Sequence, residues 1–277
     1  MAGAAADVVI VMSSESSAYQ EALAGFKESF GHPVSVQVLS ANATHVPNFA
    51  KIIVAFGGKA ASYPYAENTT LIYALAPAFF IPPDQHDGPI ARIFVVPRPE
   101  VLAARLKDVQ PSLTRLAVIL STWGPEIVAY CRSLQHAAKA EGFDVQLERI
   151  EKTEELPEHL RALEGRVDAL FMFPDPALIT PSAFNTTKEF GRANHLPLYV
   201  PMDNLVDKGA TASIAPDFRE MGRAAGRVAD QALKGEFPSS PTIYAEKNYL
   251  TLNLKAAVQS GLVIPPAVVK SADRVVP

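Results

Sequence analysis

Val8-Val9-Ile10-Val11, followed by Ser13-Ser14-Glu15-Ser16-Ser17, decides the fold, because the chain repeats this pattern at residue 116. The four apolar residues read as a strand and the serines as a turn. Tyr19, Leu23, Phe26 and Phe30 then fall at i, i+4, i+7 and i+11, one stripe of a helix that Gly31 and Pro33 close. Ser16 or Ser17 can cap its start, and residues 34–39 read as a second strand. In the second copy the order is a strand at 116–120, the turn Ser121-Thr122-Trp123-Gly124-Pro125, a helix closed by Gly142, and a strand at 143–150. That helix places Ile127, Cys131, Leu134 and Ala138 at the same spacing, so Cys131 is expected in the core.

Each copy continues with helix, apolar strand, a turn marked by Gly or Pro, helix and strand. The later strands are expected at 52–56 and 70–73 in the first copy, and at 169–173 and 197–200 in the second. They are short continuous apolar runs rather than alternating ones, the pattern of parallel sheets covered on both faces. The fold class is therefore α/β, with two similar lobes and a binding cleft expected between them. Ile93-Phe94-Val95-Val96 lies between the copies and is a place for the chain to cross. Residues 212–215 read as a strand leading into a long helix at 218–234. The expected lobes are 1–93 plus 214–238 and 94–213 plus 239–277.

Hydrophobic residues make up 48% of the 277, enough to bury two cores. A formal net charge of −4, with Lys and Arg scattered, leaves no footprint for nucleic acid or an anionic membrane. No stretch approaches the roughly 18 apolar residues of a spanning helix, so no transmembrane segment is expected. One cysteine excludes an internal disulfide. Gly57-Gly58-Lys59 lacks the earlier glycine of a phosphate loop and has Ala60 where Ser or Thr must hold magnesium. The six histidines are far apart, and neither a metal nor a cofactor is expected.

Val167-Asp168-Ala169-Leu170, Phe173-Pro174-Asp175-Pro176, residues 212–218 (Ala-Ser-Ile-Ala-Pro-Asp-Phe), Leu252-Asn253-Leu254-Lys255 and Gly261-Leu262-Val263-Ile264-Pro265-Pro266 occur in this order. Together they resemble the ABC-transporter substrate-binding proteins that include tryptophan- and phenylalanine-binding members. The resemblance implies a type I periplasmic-binding-protein fold, two doubly wound parallel-sheet lobes joined by three crossings. It also implies a periplasmic protein working with an ABC permease, any signal peptide or lipoprotein anchor lying outside this sequence. Ala74-Leu75-Ala76-Pro77-Ala78-Phe79-Phe80 replaces the polar, Gly-rich segment usual in the family, and Trp123 stands in a loop usually rich in Asn, Pro and Gly.

In open α/β sheets the ligand meets the loops at the carboxyl ends of the strands. Here those loops are 13–17, 56–60, 74–80, 121–126, 174–178 and 201–205. Ser13, Ser14 and Gly58 suit a carboxylate or hydroxyl at a helix start. Asp175 and Asp203, with Asn204 beside them, suit an ammonium or a hydroxyl proton. Asp175 has a second reading as the cap of the helix that follows it. Ala76, Phe79, Trp123 and Met202 make the loops unusually apolar, so the expected ligand is hydrophobic or aromatic, or a larger lipid-like molecule such as a sterol. The expected protein is not an enzyme, since two-lobed racemases need a thiol from each lobe. A repressor's sensing domain would need a DNA-binding segment before the first strand. A hydrophobic carrier that serves no importer stays open.

Overall fold

The computed structural model describes residues 7–39, 50–76 and 86–277. The chain forms two compact units, Met1–Val95 with Pro216–Lys247 and Val96–Ala215 with Asn248–Pro277. It thus passes between units three times, after residues 95, 215 and 247. The third passage comes nine residues later than the sequence pattern placed it, because a short strand after the long helix stays with the first unit.

Unit 1 contains β1 (Val8–Met12), α1 (Ser17–Ser29), β2 (Ser35–Val38), β3 (Ile52–Phe56), α2 (Gly58–Ala61), β4 (Thr70–Ala74) and β5 (Ile90–Phe94), then α8 (Phe218–Leu233) and β11 (Thr242–Tyr244). Its sheet runs in the order β11-β5-β4-β3-β1-β2, parallel throughout. Every residue of β1 and β3 is buried, the reason these strands read as unbroken apolar runs. Even-numbered residues of β1 and β3 (Val8, Ile10, Met12, Ile52, Val54, Phe56) pack with Phe26 of α1 and Met221 of α8. Burying each of the larger side chains stabilises the unit by roughly 1.5–3 kcal/mol.

The α1–α8 contact explains three glycines. A Cβ on Gly25 would overlap the Arg219 carbonyl oxygen, one on Gly222 the Ala22 carbonyl, and one on Gly226 the Ser29 hydroxyl. The helix backbones therefore touch, and the Ser29 hydroxyl donates across to the Arg223 carbonyl at 2.9 Å. Ser16 occupies the N-cap of α1, but its side chain makes no capping bond.

Unit 2 contains α3 (Pro99–Val109), β6 (Arg115–Leu120), α4 (Pro125–Ala140), β7 (Asp144–Arg149), α5 (Leu156–Ala162), β8 (Ala169–Met172), α6 (Pro181–Ala193), β9 (Leu198–Val200), α7 (Asp203–Val206) and β10 (Ala212–Ala215). After the third passage come β12 (Tyr249–Asn253), α9 (Leu254–Gln259), α10 (Pro266–Ser271) and β13 (Arg274–Val276). The sheet order is β13-β12-β10-β9-β8-β6-β7. One pair, β10 with β12, is antiparallel, because the chain leaves the unit at Ala215 and returns against it at Tyr249. Leu156, Leu160, Phe184 and Leu205 cover one face of this sheet. Toward α3 and α4, the Tyr199 hydroxyl donates to Gln110 Oε1 at 2.9 Å, and Tyr130 donates to the Pro97 carbonyl at 3.0 Å.

Several of the short motifs turn out to be local hardware. Asp217 caps α8 by accepting from the Glu220 N–H at 2.6 Å, and Asn253 caps α9 through Ala256 N–H at 2.8 Å. Asp168 accepts from the backbone N–H of Thr114 and Arg115 and from both their side chains. Burial opposes its charge, but these bonds prevail and hold its carboxyl below the ordinary aspartate range.

Candidate functional site

Each sheet has a switch point, where the chain runs outward from one strand to neighbours on both sides. In unit 1 it lies between β1 and β3, in unit 2 between β6 and β8. Loops at the carboxyl ends of these strands face a ligand in folds of this kind, and in both units they are stitched together by side chains the sequence had singled out.

In unit 1 the stitch is Ser13. Its N–H donates to the Phe56 carbonyl at 2.9 Å, and its Oγ accepts from the Ala60 N–H at 2.9 Å. Gly57 donates to the Ala74 carbonyl at 3.0 Å, so the ends of β1, β3 and β4 are tied in one row. Gly57 has φ +94°, a conformation that favours glycine, and a Cβ there would collide with the hydroxyls of Tyr19 and Ser13. Ser14 is exposed, Gly58 half-buried at the start of α2, and Ala76 buried. Leu75 has φ 53°, the left-handed region for a residue with a Cβ, at the end of β4. Such strain is retained where the surroundings over-determine it, and it marks this loop as a place to look for function. Phe79, expected to line the site, lies outside the described residues.

In unit 2 the stitch is Asp175. Its Oδ2 accepts from Ser121 N–H at 2.7 Å, Ser121 Oγ at 2.6 Å and Thr122 N–H at 2.8 Å. Oδ1 accepts from Ala177 N–H at 3.0 Å. Both oxygens are engaged by the fold, three bonds on Oδ2 and one on Oδ1, and the residue is only 1% exposed. Asp175 therefore holds the loops after β6 and β8 together and offers no free oxygen to an ammonium. Nor does it cap a helix: α6 starts at Pro181, where the Thr180 side chain accepts from Ala183 N–H.

The loop that Asp175 holds carries Trp123, which is 43% exposed just ahead of α4. Arg149, the last residue of β7, lies with its guanidinium carbon 5.9 Å from the centre of the Trp123 ring. Sequence reasoning passed over Arg149. The one signal for it was position, since β7 neighbours β6 and its carboxyl end opens on the same side. Phe173, by contrast, belongs to the core, with Tyr130 and Phe171 packed edge-on against it at 5.8 and 6.4 Å between ring centres. At the end of β9, Met202 is half-buried, Asp203 and Asn204 are exposed, and Asp203 faces Arg274 at 3.8 Å.

One thiol and the metal-ligating side chains can be placed among the described residues. Cys131 is fully buried on α4, and burial pushes its thiol up to about 11. No group of three His, Cys, Asp or Glu side chains is placed to hold a metal, and no helix is long and apolar enough to cross a membrane, among those residues.

The family model described as ABC transporter substrate binding protein matches residues 103–276. A tyrosine-binding protein of Clostridioides difficile (strain R20291) is 24% identical over 131 residues, 47% of this chain. That match spans only 37% of the relative's length. Among solved structures, an ABC domain from Streptococcus pneumonia in complex with L-Trp superposes with a TM-score of 0.69 at 17% identity, covering 97% of this chain and 99% of that one. The ligand-free, open structure of a substrate binding protein with adhesive properties from Clostridium difficile gives 0.67 at 16% identity, covering 97% and 98%. These likenesses, with the two α/β units, show the type I periplasmic-binding-protein fold.

Proposed function

Because this chain belongs to the family of ABC transporter substrate-binding proteins, we propose that it is a non-catalytic receptor for a hydrophobic or aromatic small molecule, which it hands to an ABC importer outside the cytoplasmic membrane. The observation that carries the ligand class is the character of the carboxyl-end loops. Their most obvious polar groups are already engaged: Ser13 Oγ holds Ala60, and both Asp175 oxygens hold backbone. The large apolar group that these loops expose is Trp123, with Met202 and Leu75 partly buried against the cores of their units and Ser14, Asp203 and Asn204 exposed beside them.

Magnitudes favour the same reading. Micromolar affinity requires about 8 kcal/mol net. An anion at an exposed helix end contributes roughly 0.3–1 kcal/mol, whereas burying one large apolar group contributes roughly 1.5–3 kcal/mol. Apolar contact must therefore carry most of the affinity. An aromatic amino acid fits, in keeping with relatives whose names specify tyrosine and tryptophan.

An enzyme reading has no support in a single thiol held inert in the core. Calorimetry with L-tryptophan, L-tyrosine and L-phenylalanine tests the proposal. At least one should bind, and Trp123→Ala combined with Phe79→Ala should weaken it tenfold or more. Unchanged binding in that double variant would refute the site. Failure of all three acids, with a sterol-like lipid extracted from the protein purified from its own host, would replace this reading with a lipid carrier.

A further inference from the structure

At the carboxyl end of the unit 2 sheet, Arg149 carries a charge that the described residues engage only weakly. Its guanidinium lies over the Trp123 ring, 5.9 Å from the ring centre. Its ion-pair contact among the described residues is Glu151, at 3.7 Å, beyond hydrogen-bonding distance. Glu151 is 70% exposed and Arg149 49%, so solvent screens that pair and it constrains the guanidinium little. Other arginines of the same unit are spent: Arg115 bonds Asp168, and Arg274 bonds Asp207.

A cation held against an indole face is a two-part recognition surface. The guanidinium presents planar paired donors that match a carboxylate. The uncovered part of the indole presents an apolar face to a ring. Backbone geometry makes the pairing firm. Leu120 and Arg149 are registered partners across β6 and β7, and Ile150 N–H donates to the Leu120 carbonyl at 2.9 Å. Trp123 follows Leu120 by three residues, in the loop that Asp175 fixes at Ser121 and Thr122. Arg149 is thus anchored at a strand end, and Trp123 in a loop that Asp175 fixes at its first two residues.

Resting on the receptor reading above, we propose that the solute carries a carboxylate as well as an apolar or aromatic body, and that Arg149 takes the carboxylate while the body stacks on Trp123. Arg149 then sets specificity for charge, and Trp123 contributes affinity that does not depend on charge. A solute acid is selected over its neutral or cationic counterpart by one side chain.

The experiment compares L-phenylalanine and L-tyrosine with their carboxamides, by calorimetry, on the wild-type chain, Arg149→Met and Arg149→Lys. The expected result is an acid-over-amide preference of at least tenfold in the wild type, erased in Arg149→Met and partly kept in Arg149→Lys. Amide affinity should move by less than threefold between variants. An acid preference that survives in Arg149→Met, or its absence in the wild type, overturns the proposal and leaves the aromatic-receptor reading standing. If neither the acids nor the amides of phenylalanine and tyrosine bind the wild type, the comparison is made with L-tryptophan and its carboxamide, and failure there too brings both readings down. The Trp123 emission spectrum and urea midpoint of each variant confirm that the loop remains folded.

Discussion

Asp175→Asn is the sharpest test of how the ligand-facing end of unit 2 is held. The wild-type carboxylate accepts three bonds at Oδ2 and one at Oδ1 in a site 1% exposed. An asparagine keeps one acceptor oxygen and replaces the other with an NH2 donor. If the oxygen faces Ser121 and Thr122, the amide group faces the Ala177 N–H, donor against donor. If it is turned, three donors lose their acceptor. The first arrangement is the less damaging, losing one bond to a charged group and weakening three others. Bonds to charged acceptors contribute about 1.5–3 kcal/mol each, and a buried unsatisfied group costs about 1–3. A net loss of about 2 kcal/mol follows. With an m-value of about 2 kcal/mol/M in urea, the midpoint should fall by about 1 M. Trp123 is the chain's only tryptophan and sits in the loop that Asp175 holds, so its emission reports the unfolding of unit 2 without requiring the two units to unfold together. A midpoint shift under about 0.2 M would refute the stitch as an energetic feature.

The remaining predictions concern other levels of the same structure. Gly222→Ala should destabilise unit 1 by about 2–4 kcal/mol, because the new methyl would overlap the Ala22 carbonyl and force α1 and α8 apart; circular dichroism in urea would detect it, and a neutral result would deny the close packing. The folded-state pKa of Asp168 lies below its unfolded value, so its stabilisation is complete above the unfolded pKa of about 3.9 and vanishes as pH falls through the folded value. Asp168→Asn should therefore lower stability at pH 7 and flatten the acid limb of the stability profile below about pH 4. Cys131, buried and with its thiol near 11, should resist thiol reagents at pH 8 in the native chain and react on unfolding. Fast labelling of the folded protein would contradict its core position.

The arrangement of strands and helices was legible because it depends on local periodicity. Continuous apolar runs mark strands buried on both faces, and the stripes Tyr19-Leu23-Phe26-Phe30 and Ile127-Cys131-Leu134-Ala138 mark helices facing them. Their recurrence after a hundred residues was enough for two α/β units and for loops at the switch points. The third passage between units was harder to read. Residues 242–244 carry a weak strand signal, and only pairing with β5 assigns them to unit 1.

What side chains do at the strand ends was decided by partners distant in sequence. Asp175 reads as a free acid or a simple cap until Ser121 and Thr122, more than fifty residues earlier, occupy its oxygens. Arg149 reads as an unremarkable end of a strand until the β6–β7 register brings it over Trp123. Gly25 and Gly222 carry no sequence signal of their role until two helices almost two hundred residues apart meet backbone to backbone. Hydrophobic periodicity is a property of neighbours along the chain, so sequence alone determines the elements and their buried faces. Whether a polar or charged group is spent or free depends on which groups folding sets beside it, and only the tertiary structure decides that.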